Sequence, residues 1–253
     1  MKSCADVRLR SGNAEYYFKF LKWDSKFFGR NCYILDAARS RLRPSLSMRK
    51  LINRRFYNCF ITAKIDTACD RSLLEFLQLS GFRYIETEII LKYQTVSRQQ
   101  RLFSPNQSII EVKQNMNLPY EELGSVFTMT RFHSDVHIPR DQADLLWIEY
   151  IKNHIPSSAE RLFIAKKGKE VAGAVIVNIN RNRRRADISF VSVREKFRHI
   201  GIGSGLISYV IQTFGHKGFY VGTQASNIAA LNFYIKNGFS IIEKSMIVFH
   251  RWS

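Results

Sequence analysis

Three short stretches carry residue types at spacings that could do chemistry. The first is Arg198-His199-Ile200-Gly201-Ile202-Gly203-Ser204-Gly205, with three glycines in five residues. Glycine lets a backbone turn tightly and come close to a ligand. Free N–H groups at a helix N-terminus form an anion site for which a pyrophosphate is a natural guest. No Gly-Lys-Ser/Thr ending follows, so this is not a Walker loop, and the spacing is not G-x-G-x-x-G. A plain strand-to-helix turn is the alternative. The second stretch holds Asn227 and Tyr234, seven residues apart and therefore on one helix face, two turns from each other. The third, Arg131-Phe132-His133-Ser134-Asp135, sets a cation, a ring, an imidazole and a carboxylate side by side in a polar loop.

The elements that must position these groups can be read from periodicity. Ile188, Phe190, Val191 and Val193 form an apolar, β-branched and aromatic run that predicts a buried strand before the glycines. Leu206, Ile207, Val210 and Ile211 repeat at helical spacing after them. Residues 219–224 predict a further strand; Ser226 or Asn227 opens a short helix, and Gly238 closes it. Upstream lie a strand at Ile109 to Val112, a helix from Pro119, a helix capped by Asp141 that runs to Asn153, and a hairpin of Arg161 to Lys166 with Val171 to Asn180. A strand or pair from Ser240 to Trp252 ends the chain.

Residues 1–97 read as a separate module in the order strand, helix, strand, helix, strand: Cys32 to Leu35, Met48 to Arg55, Phe60 to Ile65, Arg71 to Leu79 and Tyr84 to Tyr93. The polar stretch 97–107, with Pro105, reads as the linker to a second domain at 108–253. Trp23, Phe27 and Phe28 in the first module are either core aromatics or platforms for a ring-shaped ligand.

The 253 residues are 45% hydrophobic, enough for a packed core. No apolar run is long enough for a membrane span and the N-terminus lacks a signal-peptide core, so a cytoplasmic protein is expected. Cys4, Cys32, Cys59 and Cys69 form no C-x-x-C pair and have no histidine at metal spacing; free thiols and no metal are expected. The net charge of +18 is spread along the chain and favours anionic ligands. Arg181-Asn182-Arg183-Arg184-Arg185 reads as a solvated turn or as a phosphate contact.

The glycine-rich turn resembles the R/Q-x-x-G-x-G/A loop of the GCN5-related N-acetyltransferase (GNAT) superfamily, and N-x-x-A-x-x-x-Y-x-K-x-G-F from Asn227 resembles the segment that follows that loop there. The resemblance covers about residues 108–253 and implies an α/β fold of the α+β kind, a GNAT fold with a mixed central sheet, here preceded by the smaller α/β module. It implies that Arg198, His199, Ile200, Gly201, Ile202, Gly203 and Ser204 hold the pyrophosphate of acyl-coenzyme A and that its pantetheine arm lies along the strand at Val191 and Val193. Asn227 and Lys236 join the cofactor side. A splay of that strand from the next, at Gly222 to Gln224, would open a slot for the thioester, and Tyr234 would donate to the sulfur. An unperturbed phenol, with a pKa of about 10, holds its proton at neutral pH.

Trp23-Asp24-Ser25-Lys26-Phe27-Phe28-Gly29, a G-F-R-Y-I-E-T-E run and T-R-F-H-x-D together resemble the TDP-fucosamine acetyltransferase branch of that superfamily. These enzymes acylate an amino sugar carried on a nucleotide diphosphate, for surface polysaccharides. That resemblance implies an acceptor side made by Arg131, Phe132, Trp23 and Gln224, with His133 or Asp135 taking the amine proton through water. It also implies a homodimer. Competing readings are a GNAT acting on a peptide, protein or small amine, a nucleic-acid-binding protein, and a non-catalytic coenzyme A binder. No helix-turn-helix, zinc-finger or RNP signature supports the nucleic-acid reading.

Overall fold

The computed structural model describes residues 5–94, 108–113, 116–153, 160–180, 184–215 and 218–253, with backbone alone for 241–243. The proposed linker, Cys4, His154, His216 and Arg181 to Arg183 lie outside the described residues. The chain forms two compact units. One is Met1–Glu88 with Ser134–His137 and Ser245–Ser253; the other is Ile89–His133 with Ile138–Lys244. The end of the last strand and a piece of the Arg131–Asp135 loop belong to the first unit.

In the first unit, β1 (Val7–Ser11) and β2 (Ala14–Phe20) form a hairpin closed by Gly12 and Asn13, with Gly12 at φ 54°. The turn needs a residue that tolerates positive φ, and glycine does so without strain. The aromatic run Tyr16-Tyr17-Phe18 hides the alternation of β2, in which Ala14, Tyr16 and Phe18 face the core. A short helix, α1 (Lys22–Phe28), follows, with β3 (Asn31–Leu35), α2 (Leu46–Arg55), β4 (Cys59–Asp66), α3 (Arg71–Leu79) and the start of β5 (Arg83–Tyr93). The hairpin and α1 add to the expected order, whose other elements are present. The first-unit part of β11 (Phe239–Trp252) pairs antiparallel with β4, Met246 opposite Asp66 through Trp252 opposite Phe60.

Caps explain where α2 and α3 begin. Ser45 Oγ accepts from Met48 N at 3.1 Å, and Asp70 Oδ1 accepts from Ser72 N at 2.9 Å. Met48, Ile52, Leu73, Phe76 and Leu77 then pack on Tyr16, Phe18, Ile61 and Ala63. Cys32 and Cys59 are buried, and burial pushes the Cys32 thiol up to about 12.

The second unit holds β6 (Ser108–Val112), α4 (Tyr120–Gly124), α5 (Arg140–Lys152), β7 (Glu160–Lys167), β8 (Glu170–Asn180), β9 (Arg185–Val193), α6 (Ile202–Thr213), β10 (Gly218–Gln224) and α7 (Ile228–Lys236). A one-turn 3-10 helix, Glu195–Phe197, links β9 to α6. Strands run β6-β7-β8-β9-β10, antiparallel except for the parallel pair β9–β10. Both faces of the sheet are buried. Phe163, Val175, Val177 and Ile188 pack with Leu206, Ile207 and Val210 of α6. Leu162, Ile164, Ala174, Ile176 and Phe190 pack with Leu123 and Ile151 of α4 and α5. Two-sided burial is why residues 171–177 read as a continuous apolar run instead of an alternating one.

One expected cap is corrected. Pro139, not Asp141, precedes α5; Asp141 sits inside the first turn, where its carboxylate suits the helix dipole. Gly124 lets α4 meet α5, since a Cβ there would lie 2.6 Å from Ile148 N.

Candidate active site

The site grows from a flaw in the sheet. β9 and β10 pair from Arg185 opposite Gly218 to Ile188 opposite Val221, and the pairing ends there. At the same level, Ile176 faces Phe190 while Val177 faces Ile188, so Ser189 is an extra residue in β9. A bulge of this kind bends its strand and ends regular pairing. Beyond it the strands part around a cleft of about 340 Å³, lined by β9 from Ile188 to Val193 and by β10 from Val221 to Gln224. Such a volume lies within the range of small-ligand sites. The remaining walls are Val126 to Thr130 and Trp147 on one side, with Arg198, Asn227, Ala230 and Tyr234 on the other.

The α4–α5 wall is aromatic and anchored to β9. The Phe127 and Trp147 rings stack at 4.7 Å, and Phe127 lies 4.7 Å from Phe190. Ser192 Oγ donates to Leu123 O at 2.7 Å, and Arg194, 7% exposed, donates to Glu122 Oε2 and to Val171 O. Ser192 and Arg194 thus hold α4 against the strand that borders the cleft. Neither was a sequence candidate; a serine and an arginine at a strand end carry no local signal of their role.

The glycine-rich turn crosses the mouth of α6. His199 adopts a left-handed conformation (φ 63°), and Gly201 caps the helix at φ 89° without any side-chain acceptor. Among the described residues nothing accepts from the N–H groups of Ile202, Gly203 and Ser204. Three unpaired donors at the positive end of a twelve-residue helix fit a pyrophosphate.

Gly203 also serves packing: a Cβ there would meet the Phe233 ring at 3.1 Å and Val193 Cγ2 at 3.4 Å. The glycine lets α6 pack on α7 and β9. Gly203→Val therefore forces Phe233 to move, at a typical overpacking cost of about 1–3 kcal/mol. We expect a lower unfolding midpoint together with weaker coenzyme A binding, checked by thermal melts beside calorimetry. An unchanged melt would show that the helices are not packed this way.

Tyr234 lies in the cleft wall, 8% exposed, with its ring against Phe233 and Phe239. Its hydroxyl has no protein partner among the described residues. Burial pushes the phenol well above its ordinary value, so it remains protonated. Asn227 caps α7, its Oδ1 accepting from Ala230 N at 3.1 Å, and lines the cleft beside Gln224.

Several sequence candidates do not line the cleft. Lys236 is exposed at the last turn of α7, and Ile200 is exposed in the turn. Ile202 is buried, which leaves only its backbone N–H for a ligand. Phe132 is buried with the Arg131 guanidinium 4.4 Å above its ring. Trp23 and Asp135 belong to the first unit, where Trp23 stacks on Phe27 at 5.4 Å. Asp135, expected as a base, is a buried hydrogen-bond acceptor in that unit. Its Oδ2 accepts from His250 Nδ1 at 2.6 Å and from Trp252 Nε1 at 2.7 Å, and its Oδ1 accepts from His137 N at 3.0 Å. Burial alone would raise this carboxyl, but the His250, His137 and Trp252 hydrogen bonds outweigh it and hold the group well below the usual carboxylate range.

The site thus combines a bulged strand, a parallel pair that parts, and a helix mouth without a side-chain cap. The model of the acetyltransferase (GNAT) family matches residues 125–239. A curated relative, the spore coat polysaccharide biosynthesis protein SpsD of Bacillus subtilis (strain 168), is 28% identical over 129 residues. The match covers 50% of this chain and 44% of the relative, so the chain spans less than half of that protein's length. Among solved structures, a functionally unknown conserved protein from Staphylococcus epidermidis ATCC 12228 superposes with a TM-score of 0.63 at 13% identity, over 100% of this chain and 96% of its own. A GCN5-related N-acetyltransferase from Kribbella flavida superposes with a TM-score of 0.61 at 9% identity, over 98% and 90%. At these identities the structures share the fold alone. No helix among the described residues is long and apolar enough to cross a membrane, and no group of three metal-binding side chains is gathered among them.

Proposed function

We propose that this protein is a cytoplasmic acyl-CoA-dependent N-acyltransferase that moves an acyl group directly to the amine of a nucleotide-linked (dTDP-linked) amino-dideoxy sugar for surface polysaccharide synthesis. The observation that carries the transfer is the parting of β9 and β10 beyond Ile188 and Val221, beside three free N–H donors on α6 and a protonated Tyr234. The α6 donors and Arg198 hold the pyrophosphate, and the parted strands take the thioester. Tyr234 donates to the sulfur as the C–S bond breaks. The likeness to a polysaccharide biosynthesis protein supports the sugar acceptor, as do the sequence motifs near residues 23 and 131. The +18 charge favours an acceptor that carries phosphates.

A thiol-release assay that crosses several acyl-CoAs with several nucleotide-linked amino sugars tests this. The expected result is acceptor-dependent thiol release with at least one such sugar. Release with peptides alone would reassign the acceptor. Failure of coenzyme A to bind would remove the transfer itself.

A further inference from the structure

The described residues that line the cleft include no carboxylate and no imidazole; Arg198 and Tyr234 are their titratable members. Acyl transfer to an ammonium-bearing acceptor nonetheless requires a proton to leave the nitrogen. One lining residue, Thr130, is bonded to an imidazole. Thr130 Oγ1 lies 2.8 Å from His133 Nδ1, and His133 Nε2 lies 3.0 Å from Asp144 Oδ1 on α5. The His133 side chain is 5% exposed and that of Asp144 is 48% exposed, so the line runs from the cleft wall toward solvent.

Resting on the acyltransferase reading above, we propose that Thr130, His133 and Asp144 form a relay that carries the acceptor's amine proton out of the cleft. Atom roles follow from the chain. The carboxylate accepts only, so His133 Nε2 carries the hydrogen that it donates to Asp144. Nδ1 is then the acceptor, and the Thr130 hydroxyl donates to it. Phe132 N also donates to Thr130 Oγ1, at 3.3 Å, which leaves an oxygen lone pair for an incoming N–H.

When the acceptor ammonium gives a proton to Thr130 Oγ1, the hydroxyl's own proton passes to His133 Nδ1. The imidazolium so formed is stabilised by Asp144. The neutral amine attacks the thioester carbon and the C–S bond breaks with its electron pair on sulfur. The nitrogen's second proton replaces the one that Tyr234 gives to the thiolate. His133 returns its extra proton to solvent on the Asp144 side. One ammonium and one thioester become one amide, one thiol and one released proton, with no redox change.

Thr130 is the group placed to touch the acceptor; His133 and Asp144 are positioning residues that act through it. The charged groups around His133 are Asp144 from α5 and Arg131 from its own loop, with Arg198 in the cleft lining beside the neutral Tyr234. The same contacts also close a local turn, since His133 N donates to Thr130 O at 2.9 Å. A purely structural turn would change stability without changing the pH dependence of turnover.

The test is the pH profile of kcat/KM for wild type, Thr130→Val, His133→Gln and Asp144→Asn, each with two acceptors whose amines differ in basicity. Coenzyme A affinity is measured alongside by calorimetry. Wild type should show an acidic limb whose midpoint is the same for both acceptors. His133→Gln should lose that limb and about a hundredfold in kcat/KM while still binding coenzyme A. Asp144→Asn should move the limb to lower pH, because removing the neighbouring negative charge disfavours the imidazolium. Thr130→Val should slow turnover to the same extent as His133→Gln. A wild-type midpoint that follows the acceptor's own basicity would overturn the relay, because the proton would then leave to water before binding. So would a His133→Gln profile that matches wild type. Neither result touches the acyltransferase reading, which fails only if wild type shows no acceptor-dependent thiol release.

Discussion

Tyr234→Phe should lower kcat by about a hundredfold or more while leaving coenzyme A affinity unchanged, because it removes one hydroxyl and keeps the ring. The burial that raises this phenol also matters for the sulfur. A buried thiolate leaving group is penalised by the same dry surroundings, so its demand for a proton rises with the phenol's reluctance to give one. The hydroxyl has no protein partner among the described residues to compete for it, and the ring is held by Phe233 and Phe239. Single-turnover thiol release with saturating acyl-CoA is the measurement. Near-full turnover in Tyr234→Phe would reduce the residue to a packing role.

Asp135→Asn should be the most destabilising single change in the first unit, by about 3 kcal/mol. The carboxylate answers the His250 ring, the Trp252 indole and the His137 backbone, and the His137 ring nitrogen lies 3.1 Å from its Oδ1. An asparagine offers one acceptor oxygen and must turn an amide N–H2 toward a donor, leaving buried groups unpaired. Because the carboxyl is held below its ordinary range, its contribution is fully present above the unfolded value of about 3.9 and is lost as pH falls through the folded one. Urea unfolding from neutral pH down to about pH 3 should therefore show wild type and Asp135→Asn converging as acid is added. Turnover per folded molecule separates this anchor from a base: equal unfolding curves with lost turnover would restore Asp135 to the chemistry.

How much was legible follows from how local each signal is. The strand at residues 185–193, the glycine turn, α6 and α7 were all readable, because the period of the apolar residues and the capping chemistry are set by neighbours within a few positions. Asn227 as a cap and Gly238 just past the helix, at φ 88°, are of this kind. The β1–β2 hairpin was not, because consecutive aromatics blurred a two-residue period. In the Arg131–Asp135 loop, residue type suggested two bases, His133 and Asp135. Adjacent positions in a chain can end among different partners, and these two did, Asp135 with His250 and Trp252, and His133 with Thr130 and Asp144.

The sequence by itself determined the family likeness, the order of the second unit's elements and the glycine-rich turn at the mouth of α6. Those rest on spacing along one stretch of chain, where helix and strand geometry fix which side chains share a face. The tertiary structure alone decided that Gly203 serves packing against Phe233, that Arg194 and Ser192 seat α4, and that Asp135 is an anchor. Each of these depends on a partner from tens of residues to more than a hundred residues away, and nothing in the local pattern encodes which distant group a side chain will meet once the core has closed.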